Sequence, residues 1–123
     1  MAVRTAEGIK SMIMRTWRGA VRAVDAERYL AHQAGTGVRE YRQTPGNAGA
    51  LVIRRDRDDL CEVTTVSFWE SMDAVRRFAG QDPDRAKFYP GDDELLVEKD
   101  LHVDHYEVVS ADLDASALQA LLR

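Results

Sequence analysis

The run Leu60-Cys61-Glu62-Val63-Thr64-Thr65-Val66-Ser67-Phe68-Trp69, continued by Glu70-Ser71-Met72-Asp73-Ala74-Val75-Arg76-Arg77-Phe78-Ala79-Gly80, decides the fold. Its first half is rich in β-branched and aromatic residues and free of proline and glycine, which predicts one long strand from Leu60 to Trp69. The period then changes: Met72, Val75, Phe78 and Ala79 fall on one helical face, with Ser71 placed to cap the helix and Gly80 to stop it. A strand feeding directly into an amphipathic helix is the unit around which the neighbouring segments are ordered.

Upstream, the turn residues Pro45-Gly46-Asn47-Ala48-Gly49 separate two expected strands, Val38–Gln43 and Ala50–Arg55. The acidic tetrad Asp56-Arg57-Asp58-Asp59 turns the chain into the long strand. Before these, Asp25 is a good N-cap for a helix to about Ala34 with an apolar stripe of Ala26, Tyr29, Leu30 and Ala34, ended by Gly35. Met12 to Arg18 reads as the first strand, with Ile13, Arg15 and Trp17 sharing an oddly polar face.

Downstream, Asp82-Pro83 predicts a short helix ending near Tyr89-Pro90. A last strand is expected within Leu95–Val109, most clearly from Leu101 onward. Asp112 or Asp114 then caps a small apolar helix through Ala117, Leu118, Leu121 and Leu122. The order is a ferredoxin-like βαββαβ domain of the α+β class, with helices on one face of an antiparallel sheet. Large side chains on both faces require cover for the second face, so two copies are expected to close into a dimeric α/β barrel. The division expected is a flexible leader over 1-10, the ferredoxin-like domain over 11-109 and a helical tail over 110-123.

With 123 residues and a net charge of -4, the chain fits one domain and lacks the basic surplus that phosphate-backbone binding requires. The basic run Arg54-Arg55-Asp56-Arg57 is broken by an acid and reads as a solvated hairpin end, so no nucleic acid partner is expected. No apolar stretch approaches the roughly 20 residues needed to cross a bilayer, so no membrane partner is expected either. One cysteine, Cys61, and no secretion signal point to the cytoplasm. Gly35-Thr36-Gly37 follows a helix rather than a strand and lacks the third glycine of a dinucleotide loop. Cys61 beside Glu62 lacks the basic neighbour that activates a thiol.

Four stretches carry a family resemblance: Met12-Ile13-Met14-Arg15-Thr16-Trp17-Arg18-Gly19; Tyr41-Arg42-Gln43-Thr44-Pro45-Gly46-Asn47; Ser67-Phe68-Trp69-Glu70-Ser71 with Phe78-Ala79-Gly80; and His105-Tyr106-Glu107-Val108. With these the chain resembles the antibiotic biosynthesis monooxygenase-like branch of the dimeric α/β-barrel proteins over roughly residues 12 to 109. The resemblance implies the barrel fold and a homodimer. It also implies either cofactor-independent oxygenation of aromatic polyketide precursors, haem degradation, or a role with no assigned reaction. In haem-degrading relatives, a Trp nine positions and a His nineteen positions after the strand-end Trp matter for haem. Here those positions hold Phe78 and Phe88, which argues against haem.

Candidate catalytic residues are His105, as a base, and Arg15, as the cation that steadies an enolate or phenolate. His105 is expected to share a face with Leu101, Val103 and Val109. If first and last strands adjoin at the centre of the sheet, Arg15, Trp17 and His105 meet; the alternatives for Arg15 and Trp17 are an ion pair with Glu107 and plain packing. Trp17, Tyr41, Trp69 and Tyr89 lie near element ends where a rim would contact a planar substrate. His102 and His105 point to opposite faces, so no metal site is expected, and His32 is expected to face solvent. The leading expectation is a cofactor-independent monooxygenase of an electron-rich phenolic or anthrone-like small molecule. Its rivals are a non-catalytic dimer that binds a small hydrophobic molecule or is simply packed, and a haem protein.

Overall fold

Alternation along one strand sorts the whole sheet into two faces. In the computed structural model, which describes residues 11–122, Cys61, Val63, Thr65, Ser67 and Trp69 of strand β3 (Leu60–Trp69) are all buried on the side that carries the helices. The leader expected over 1-10 lies outside the described residues. Strand β1 (Ile13–Arg22) runs antiparallel to β3 with Ile13 opposite Trp69, Arg15 opposite Ser67 and Trp17 opposite Thr65. The polar face of β1 therefore points toward the helices, into the interior of the domain.

On the other side of β3 lies β2 (Asn47–Arg57), and β1 is flanked further by two short strands, β4 (Leu96–Lys99) and β5 (Asp104–Glu107). The sheet has five strands, all antiparallel, with β1 and β3 at its centre. Helices α1 (Ala26–Gly35), α2 (Gly37–Gln43), α3 (Met72–Ala79) and the single turn α4 (Asp92–Leu95) complete the domain, followed by α5 (Ala115–Leu121). This is the expected ferredoxin-like α+β arrangement. None of these helices is long and apolar enough to cross a membrane.

Two clusters form the core. One joins Val21, Cys61 and Val63 of the sheet to Ala26 and Tyr29 of α1 and to Leu95. The other packs Trp69 against Tyr41, Val75 and Phe78, with the Tyr41 and Trp69 rings edge to face at 5.8 Å. Helix α3 is anchored as its sequence predicts, because the Ser71 hydroxyl accepts from the Ala74 N–H at 3.1 Å. Helix α5 is likewise capped, by Asp114, and buries none of its residues. Asp25 sits at the N-cap of α1 without a capping hydrogen bond, because a 3-10 turn over Ala23–Asp25 already leads into the helix.

Four expected elements are different. Val38–Gln43 is the helix α2, not a strand: Val38 and Tyr41 are three apart, and helical geometry puts both against the Trp69 cluster. No helix forms from Asp82 to Pro90. Ala86 N–H instead donates to Leu101 O and Val103 N–H to Asp84 O, so the segment lies beside residues 101–103 as an extended chain. The last strand is accordingly broken into β4 and β5 at the point where it turns to this partner. Finally, β1 extends to Arg22, four residues beyond its expected end.

The turn into β2 depends on Gly46. Its φ of +91° lies in the left-handed region, and a Cβ there would stand 2.5 Å from the Ala74 Cβ on α3. Gly46→Ala is expected to cost about 2 kcal/mol or more, from backbone strain and overpacking together. Urea denaturation checks this, and an unchanged midpoint contradicts it.

Candidate functional site

A buried arginine needs hydrogen-bond acceptors inside the protein, and Arg15 is only 3% exposed. One terminal nitrogen donates to the Pro83 carbonyl and lies 3.0 Å from His105 Nε2, while the other donates to the Arg85 carbonyl at 3.2 Å. Among the described residues no carboxylate stands within ion-pair distance of it. Burial lowers its pKa, an effect partly offset by Tyr41, Asp84 and Tyr89, and an arginine stays charged in spite of it.

The same contact fixes the state of His105. A guanidinium has only donors, so Nε2 accepts, and the imidazole proton sits on Nδ1, which faces Asp84 Oδ1 at 3.3 Å. Desolvation, followed by the Arg15 charge, holds the His105 pKa below the usual histidine value, against the pull of Asp84 and Asp104. His105 lies directly opposite Arg15 in the β1–β5 pairing, so the expected meeting of the two does occur. Its expected face-mates Leu101 and Val109 are exposed, because the chain leaves the sheet on either side of β5; Val103 is buried. The alternative partner of Arg15, Glu107, stands opposite Ile13 instead.

Arg15 lines a cavity between the sheet and the helices, with a free volume of about 40 Å³. Trp17 and Thr65 share its floor, Tyr29 and Gln33 of α1 and Tyr41 of α2 form one wall, and Phe78, Phe88 and Tyr89 another. Trp17 meets Phe88 edge to face at 6.2 Å and donates its indole N–H to Asp100 O at 2.8 Å. Its ring also lies over Gly19, where a Cβ would stand 2.5 Å from it. Of the expected contact residues, Trp17, Tyr41 and Tyr89 line the cavity. Trp69 does not: it is fully buried in the core with its indole N–H on Ser67 Oγ at 2.8 Å, supporting Tyr41 and Phe78 from behind. His105 stands behind Arg15 and is not among the lining residues.

The rim is an ordered polar network. Tyr89 donates its hydroxyl to Glu40 Oε1, which also accepts from Lys87 Nζ at 2.6 Å, and Lys87 lies 4.9 Å from the Phe78 ring centroid. Burial pushes the Glu40 carboxyl up, but the Lys87 and Tyr89 hydrogen bonds prevail and hold it below the ordinary carboxylate range. The Tyr89 phenol is raised by burial and then by Glu40, and the Tyr29 phenol by burial and then by Asp92. His32, expected to face solvent, instead pairs with Asp92, Nε2 to Oδ1 at 2.7 Å, because the positive-φ turn at Gly91 carries Asp92 beneath α1. Asp92 Oδ2 accepts from the Tyr89 N–H at 2.8 Å. Among the described residues no three His, Cys, Asp or Glu side chains are grouped to hold a metal ion.

Sequence reasoning missed Gln33, Tyr29 and Lys87. Gln33 had a signal: it interrupts the apolar stripe of Ala26, Tyr29, Leu30 and Ala34 at helical spacing.

These features define an α+β domain with a polar, cation-lined cavity under its helices, and solved structures share its fold. A protein from Bacillus cereus, provisionally assigned as an antibiotic biosynthesis monooxygenase, matches with TM-score 0.62 at 17% identity, over 85% of this chain and 97% of that one. A protein from Shewanella oneidensis matches with TM-score 0.60 at 19% identity, over 80% and 92%. A mutant form of SnoaB, a cofactor-independent oxygenase from Streptomyces nogalater, matches with TM-score 0.53 at 18% identity, over 85% and 99%. The resemblance to antibiotic biosynthesis monooxygenase-like structures is thus borne out at the level of the fold. No family model and no curated protein sequence matches the chain.

The His105 geometry has a measurable consequence. Its folded pKa lies below the roughly 6.5 of an unfolded histidine, so between the two values the unfolded chain binds more protons. Stability contributed above that range is lost as pH falls through the folded pKa. His105→Gln, which keeps an acceptor for Arg15 without a titrating ring, is expected to flatten the fall in thermal midpoint between about pH 7 and pH 5. An unaltered pH dependence contradicts the neutral, Arg15-bound histidine.

Proposed function

We propose that the cavity binds a small planar aromatic molecule as its anion and that the chain is a cofactor-independent monooxygenase of electron-rich phenols or anthrone-like rings. One observation carries this reading: Arg15 is a buried guanidinium that lines a cavity and has no carboxylate partner among the described residues. A ligand oxyanion supplies the missing charge, and the field of Arg15 favours loss of the phenolic proton. Trp17, Tyr41 and Tyr89 contact the ring, while Trp69 holds that wall in place. His105 keeps Arg15 in position; for it to act as the base, Arg15 must first release Nε2.

Such an anion is itself the reductant of dioxygen, so the scheme calls for no cofactor. A ring CH₂ becomes C=O, one oxygen atom enters the product and the other leaves as water, with the substrate supplying all the electrons. The protein contributes orientation, a dry surround and charge stabilisation. SnoaB, described as a cofactor-independent oxygenase, supports the reading through shared fold.

The test is oxygen consumption with 1,8-dihydroxyanthrone. Wild type is expected to accelerate uptake over the buffer rate, and Arg15→Met to lower kcat/KM by roughly 100-fold, the range for removing one oxyanion-stabilising group. No acceleration by wild type overturns the reading. The free volume of about 40 Å³ favours the rival, a packed domain without catalysis, because ligand cavities run to roughly 300 Å³ or more. Absence of both binding and turnover would select that rival, whereas anaerobic binding without turnover would select a non-catalytic domain that binds a small hydrophobic molecule. Haem binding remains the weaker alternative, since Phe78 and Phe88 offer no ligand to iron, and a Soret titration without a stoichiometric complex removes it.

We infer as well that the working form is a homodimer. The sheet face turned away from the helices exposes Leu51, Ile53 and Tyr106, an apolar surface suited to a second sheet. Ile53→Glu is expected to halve the mass measured by light scattering after size-exclusion chromatography; a monomeric wild type contradicts the inference.

A further inference from the structure

Gln33 is 7% exposed, and its Oε1 is an enclosed side-chain atom without a hydrogen-bond partner, the only such atom among the described residues. A buried amide oxygen left without a donor is costly, so a position of this kind calls for an explanation. Its location offers one. Gln33 lines the Arg15 cavity on the α1 side and also lines a second, mostly apolar hollow with Leu30, Ala34, Val38, Val52 and Arg54, whose free volume is about 310 Å³. The side chain therefore borders both spaces.

We propose that Gln33 is a specificity-determining residue whose Oε1 accepts a hydrogen bond from a hydroxyl of the bound ligand. Arg15 projects from the sheet and Gln33 from helix α1, so the two grip the ligand from different walls. The substrate class that satisfies both is a planar aromatic with an anionic oxygen at Arg15 and a hydroxyl donor elsewhere on the ring system. This inference rests on reading the cavity as an aromatic-anion site, and it adds a second recognition point to that reading.

The experiment compares p-hydroxybenzoate, benzoate and p-methoxybenzoate as probes, by calorimetry on the full chain and its Gln33→Met and Arg15→Met variants. Wild type is expected to bind p-hydroxybenzoate about tenfold more tightly than either analogue, the scale of one net hydrogen bond. Gln33→Met, close in volume, is expected to abolish that preference, to leave benzoate affinity unchanged and to raise the thermal midpoint by relieving the unpaired oxygen. Equal binding of the three probes by wild type, a preference retained in Gln33→Met, or a lowered midpoint in that variant overturns the proposal. Benzoate binding that Arg15→Met abolishes, without any hydroxyl preference, overturns the Gln33 role alone. Failure of all three probes to bind wild type overturns the aromatic-anion reading and this inference with it.

Discussion

A guanidinium removed from water must find acceptors for its N–H groups within the fold, and Arg15 finds them in the carbonyls of Pro83 and Arg85 and in His105. That demand reaches well beyond one side chain. The carbonyls Arg15 engages belong to the segment after α3, which makes one turn at Asp82–Arg85 and pairs at Asp84 and Ala86 with Val103 and Leu101. This pairing in turn splits the final strand into β4 and β5. The break sets β5 directly against the first four residues of β1, where His105 meets Arg15.

The electrostatics of the cavity follow from the same arrangement. Lys87, the other cation on its lining, is neutralised by Glu40 and covered by the Phe78 and Tyr89 rings. Arg15 is held by neutral acceptors only. Carbonyl dipoles and an imidazole can satisfy its hydrogen bonds without cancelling its charge, so a field remains in the cavity that a bound anion can meet. A neutral His105 belongs to that design, because a protonated ring would repel Arg15 and lose its acceptor. Asp84, which draws the histidine proton to Nδ1, is mostly exposed and makes no ion pair with the guanidinium, although its charge offsets part of the effect of burial on Arg15.

Those parts of the structure governed by local chemistry were legible in the sequence. The β3–α3 junction could be read because the alternation of Leu60–Trp69, the Ser71 cap and the Gly80 stop agree. The meeting of Arg15 with His105 could be read once the strand order was known, but not that His105 would stand behind Arg15, outside the cavity that Trp17 lines. Helix α2 could not, since seven residues with Val38 and Tyr41 on one helical face offer too few repeats to separate the two periods. The Asp82-Pro83 start signal yields a single turn, with the Arg85 N–H on Asp82 O, before the chain pairs with residues 101–103, contacts that local sequence does not report. Trp69 was misplaced for a related reason: its position at the strand end is shared by rim and core residues alike, and only the packing of Tyr41 and Phe78 over it decides between them.

The cavity walls also differ in how firmly they are held. Trp17 is fixed from three directions: its backbone lies in the central strand, its N–H is bound to Asp100 O, and its ring rests in the space that Gly19 leaves by lacking a Cβ. Arg15 shares that strand. Phe88 and Tyr89, opposite, stand on a segment outside the sheet ladder and are retained mainly by side-chain contacts with Trp17, Glu40 and Asp92. Opening a wall costs least where the fewest ladder hydrogen bonds must break. The charged, aromatic floor is thus the more firmly held side of the cavity, and the Phe88–Tyr89 wall the side that yields at the lower cost.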